Sequence, residues 1–114
     1  MTHKKWHIER GGTHVTLSRA LPARFDVSAS AQFPQVARGR LAHQIRQDMW
    51  RLLQGLRGFS PVVHVEQSEN GLTVTAGGRA SGPISKCVSA QVEALLNDRD
   101  KRARWISCAR RGLA

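Results

Sequence analysis

Arg40, His43, Arg46, Gln47, Trp50, Arg51, Gln54 and Arg57 recur along the chain at steps of three and four residues. On an α-helix such steps place side chains on neighbouring positions of one surface. Guanidinium groups grip phosphate oxygens through paired N–H donors, and an indole offers a flat ring on which a base can stack. The chemistry indicated is reversible capture of a nucleic acid. Trp and Arg also anchor protein interfaces, so the same surface would suit an acidic protein partner. In a purely structural alternative, Trp50 packs beneath a neighbouring loop and the arginines solvate the helix.

Charge is segregated around this segment. The formal net charge is +10, and fourteen of the eighteen basic residues are Arg. Residues 1–24 carry five Lys/Arg against Glu9, residues 34–57 five Arg against Asp48, and residues 99–114 six Lys/Arg against Asp100. Residues 58–98 run the other way, with Glu66, Glu69, Glu93 and Asp98 against Arg79 and Lys86. Such a distribution can build a one-sided positive field that attracts polyanions over about a Debye length. The basic C-terminal stretch adds Arg102 and Arg104 as candidate contacts to the same ligand.

The other motifs are weaker. Gly77-Gly78-Arg79-Ala80-Ser81-Gly82 has the small residues of an anion-binding loop, with Arg79 and Ser81 able to assist. A Walker A loop needs Lys-Ser/Thr after its last glycine, and Pro83-Ile84 stand there. Gly55-Leu56-Arg57-Gly58 matches the letters of a KH-domain GxxG loop, but Pro61 and a strand pattern follow where that fold needs a helix. His3, His7, His14, His43 and His64 lack zinc-ligand spacing, so no metal and no cofactor is expected. Eight scattered acidic residues and no nucleophile motif give no catalytic constellation. Cys87 and Cys108 form no CxxC and read as free thiols or small buried side chains.

The elements that must position these residues follow from periodicity. At 114 residues the chain is long enough for one domain with its own core, and 1–114 shows no linker. Trp6, Ile8, Val15 and Leu17 alternate with polar residues about a Gly11-Gly12 turn, which reads as a hairpin. Phe25, Val27 and Ala29 mark a further strand. Leu41, Ala42, Ile45, Met49, Leu52, Leu53 and Leu56 form a helical stripe, with Ser30 a candidate cap and Gly39 delaying the regular helix toward Arg40. Residues 61–66 and 72–76 flank Asn70-Gly71, a strong hairpin signal. Ile84, Val88, Val92, Leu95 and Leu96 make a second helix ending at Asn97-Asp98, and residues 104–108 read as a last short strand or coil before a frayed basic tail.

The expected architecture is α+β, a two-layer sandwich in the order ββ(β)-α-ββ-α-(β), with two helices on one face of a mostly antiparallel sheet. A β-hairpin follows the first helix where a helix-turn-helix would need a second helix, which argues for backbone or single-strand binding rather than standard major-groove reading. An edge strand could also pair with a second copy to give a homodimer. The charged N-terminal segment and the lack of an apolar run of about twenty residues fit a cytoplasmic protein without a membrane span.

Overall fold

The computed structural model of the protein describes residues 6–19, 22–81 and 86–111. Alternating sequences give five strands: β1 (His7–Arg10), β2 (His14–Ser18), β3 (Val27–Phe33), β4 (Ser60–Ser68) and β5 (Gly71–Arg79). They pair antiparallel throughout, in the order β1-β2-β4-β5-β3. Three helices, α1 (Arg38–Leu53), α2 (Lys86–Leu96) and α3 (Arg99–Arg111), complete an α+β two-layer sandwich. In it α1 packs on β2 and β4, α2 on β3, and α3 on α1.

The pleat sorts the residues. Leu17, Val63, Val65, Val74 and Ala76 point to the helices, where Leu41, Ala42, Ile45 and Met49 of α1 meet them, and each is no more than 1% exposed. On the opposite face a polar row, Thr16, His64, Thr75 and Ser30, runs across β2, β4, β5 and β3. The β4–β5 hairpin closes through Glu69 and Asn70, with Ser68 paired to Gly71. Gly71 has φ of 147°, and a Cβ there would strike the Phe33 carbonyl of β3. Only glycine permits this close approach of the third strand.

Several local expectations give way to tertiary packing. Residues 104–108 lie in the middle of α3 rather than in a strand, so the described residues hold three helices, and Arg110 and Arg111 form a helical last turn rather than a frayed tail. Asp98 starts α3, its Oδ1 accepting the Lys101 amide at 3.0 Å; that bond holds the Asp98 carboxyl below its ordinary range. Ser30 sits in β3 and caps nothing; α1 begins at Arg38, after Ala37, without a side-chain cap. Phe25 falls outside β3 and is 37% exposed, while Gly77 and Gly78 continue β5 instead of leaving it.

A helix with as few apolar residues as α3 needs a specific attachment. Only Trp105 and Ala109 of α3 are buried. Trp105 is fully enclosed, its ring 6.2 Å from Phe33 and tilted by 40°, and its Nε1 donates to Asp48 Oδ2 of α1 at 2.7 Å. Arg104 donates to the same oxygen, and Arg51 Nη1 lies 3.7 Å from Asp48 Oδ1. At the other end the Ala37 amide donates to the Ala109 carbonyl at 3.2 Å. Replacing Asp48 with Ala strands the Trp105 N–H in the core, so urea unfolding should show a loss of about 1–3 kcal/mol, or more from the broken ion pairs. Asp48→Asn retains an acceptor and should lose less; equal losses would show that the indole hydrogen bond contributes little.

Candidate nucleic-acid interface

Strand pairing decides what lies beside α1. In β1, Ile8 pairs with Leu17 and Arg10 with Val15, so Ile8 and Arg10 share the helix side with those buried residues. The Arg10 guanidinium lies against Gly39 in the first turn of α1, where a Cβ would be 3.1 Å from Nη2. Trp6 is half-buried against the core. The Arg46 guanidinium sits 4.6 Å from its ring centroid, and Arg19 sits 5.8 Å away. Trp6, Arg10 and Arg19 therefore join the surface of α1.

The residues expected to bind divide into groups. Arg40, Gln47, Gln54 and Arg57 are exposed. His43, Arg46 and Trp50 are half-buried, and Trp50 packs against the core rather than standing clear of it. Arg51 and Arg104 remain exposed but converge on Asp48, on the flank of α1 that faces α3. Arg102 belongs elsewhere. It donates to the carbonyls of Leu96 at 3.0 Å and Gln32 at 2.6 Å, and its guanidinium lies 4.0 Å from the Phe33 ring centroid. It ties α3 to the end of α2 and to β3.

Along α1 and just beyond its end several guanidiniums are left without acids. Arg24, Arg51, Lys101 and Arg104 have carboxylate partners. Among the described residues, Arg10, Arg38, Arg40, Arg46 and Arg57 enter no ion pair, and the first turn of α1 holds no acid. Arg38 donates to Gln67 Oε1 at 3.0 Å and weakly to the Gly12 carbonyl. A shallow pocket of about 470 Å³ opens between Arg10, Arg38 and Arg40, next to Gln35 and Ala37. Burial lowers the Arg46 guanidinium below its ordinary range, and its Nε is enclosed without a partner among the described residues. His43 is pushed down by burial first, then by the positive charges of Arg46 and Arg10.

The remaining candidates do not assemble into a site of this kind. Arg79 donates to the Pro22 carbonyl at 2.8 Å, and the Ala80 amide already donates to Asp26 Oδ2 at 3.0 Å. A carboxylate thus takes the donor that an anion would seek, while Ser81 lies against Gly58. Gly82, Pro83 and Ile84 of that motif, and His3, Lys4 and Lys5, lie outside the described residues. Among the described residues no cluster of His, Cys, Asp or Glu could hold a metal, and neither Cys87 nor Cys108 forms a disulfide there. A groove of about 760 Å³ between the helices, with Leu52, Ala94 and Leu95 in its lining, carries charges of both signs. No helix among the described residues is long and apolar enough to cross a membrane.

Neither protein-family models, nor curated proteins, nor solved structures yield a match to the chain.

The position of His43 makes the local field measurable. Its folded value lies below the ordinary 6.5, so the folded state binds fewer protons there than the unfolded chain. This site costs no stability above about pH 6.5 and lowers stability as pH falls from there toward the folded value. NMR titration should place His43 below its unfolded value, and Arg10→Ala should raise it. An unmoved midpoint in that variant would mean that burial and Arg46 set the shift without Arg10.

Proposed function

We propose that the protein binds nucleic acid through the backbone phosphates, using the arginines on α1 and its flanking strands. One observation carries this reading: Arg10, Arg38, Arg40 and Arg46 lie on and beside α1, and Arg57 lies just past its end, without one carboxylate partner among the described residues. Arginines brought together for stability are ordinarily interleaved with acids, as Arg51 and Arg104 are with Asp48. An unneutralised cluster repels itself, and an external polyanion relieves that repulsion while releasing its own counterions. Guanidiniums held by the first turn of a helix and by a paired strand also lose little freedom on binding. An acidic protein would satisfy the same charges, but it offers a lower and less regular charge density than a phosphate backbone.

Fluorescence anisotropy with labelled oligonucleotides tests the reading directly. Binding should weaken by about two to three powers of ten between 50 and 200 mM salt if roughly five phosphates are contacted. The double substitution Arg10→Ala/Arg40→Ala should reduce the salt slope by about two. Arg24→Ala removes the same kind of charge beside Asp26, at the far edge of the sheet, and should leave binding unchanged. Absence of salt-steep binding would overturn the reading and favour a protein partner, and equal losses from Arg24→Ala would show a charge effect without a site.

A further inference from the structure

We infer that this face takes a duplex in preference to a single strand, a choice that rests on the reading that it binds nucleic acid at all. Single-strand binders without sequence preference draw much of their affinity from aromatic rings on which successive bases stack. None of the three tryptophans stands exposed. Trp105 is fully buried, Trp50 packs half-buried against the core, and Trp6 is half-buried with two guanidiniums drawn up to its ring. Among the described residues the exposed large hydrophobic side chains are Ile8, Phe25 and Leu52. Phe25 precedes β3, at the opposite edge of the sheet from β1, and α1 packs against β2 and β4. Among the described residues the arginine face therefore carries no fully exposed aromatic ring on which an unpaired base could stack; its rings, Trp6, Trp50 and His43, are half-buried.

What it does offer is closely placed positive charge. Arg10 is held at Gly39 and Arg38 by Gln67 and Gly12, while Arg46 lies on Trp6, seven residues or about 10 Å further along α1. A rigid array of cations gains most from a rigid array of anions. Duplex carries one phosphate per about 1.7 Å of axis against about 3.4 Å for each of its strands, and it needs no ordering on contact. A single strand must be straightened onto the arginines with no stacking energy in return.

The test compares a 16-nucleotide single strand, the same sequence as duplex DNA, and its duplex RNA counterpart, by anisotropy at two salt concentrations. At about 100 mM salt both duplexes should bind on the order of ten-fold tighter than the single strand, with a steeper salt slope. Preference for only one duplex would still support the inference and would specify the helical form. A single strand that binds as tightly as, or tighter than, both duplexes overturns the inference while the proposed function stands. Absence of salt-steep binding to all three overturns the proposed function itself. Trp6→Leu separates the two causes further: a selective loss of single-strand binding would reveal stacking and count against the duplex.

Discussion

One buried carboxylate organises the helical layer. Asp48 is 8% exposed, and it receives the Trp105 indole and the Arg104 guanidinium while Arg51 stands close by. An isolated carboxylate at that depth would be costly, and two cations with a neutral donor make it tolerable. Few apolar contacts hold α3, since only Trp105 and Ala109 are buried. The Asp48 cluster and Arg102, which reaches Leu96, Gln32 and Phe33, give this polar helix its orientation. With α3 docked, one flank of α1 is fixed and neutralised. The arginines on its other flank stay without acids.

The sheet and the first helix could be read directly from periodicity. Alternation in 61–66 and 72–76, with Asn70-Gly71 between them, marks β4 and β5, and the stripe from Leu41 to Leu53 marks α1. What failed was short or long-range. Trp105 and Ala109 lie four apart, a single helical step, which cannot outweigh the strand-like look of Trp105-Ile106. Leu52 lies in the apolar stripe of α1 yet is 42% exposed, because neither α2 nor α3 closes over it. Trp50, placed by its spacing on the polar side, packs half-buried against the core.

The candidate site was half legible for the same reason. Arg40, His43, Arg46, Arg51 and Arg57 could be placed near one another from spacing alone. That Arg51 and Arg104 neutralise Asp48, and that Arg102 serves β3, depend on how α3 docks, which no local pattern encodes. Arg10 and Trp6 join the surface because β1 pairs with β2 in one register. Their shared parity with Ile8 was the available signal, but parity says which side of a sheet and not which helix lies there.

The polar face of the sheet has a consequence for the molecule as a whole. Its side chains satisfy one another. Thr16 lies 2.8 Å from His64 Nδ1, His64 Nε2 is 3.2 Å from Glu66, and Thr13 donates to Glu66. Ser30 meets Thr75, and Thr73 donates to Gln32. Glu9 pairs with Thr16 across the strands, so it too lies on this side. Glu9 and Glu66 thus stand on one surface of the sheet and the arginines without acids beyond the other, so charge is unevenly distributed across the sheet. In the field of a polyanion such a body turns before it touches, arriving arginine-first. Orientation, ordinarily the slow part of finding a partner, is then supplied during the approach, and low ionic strength quickens arrival.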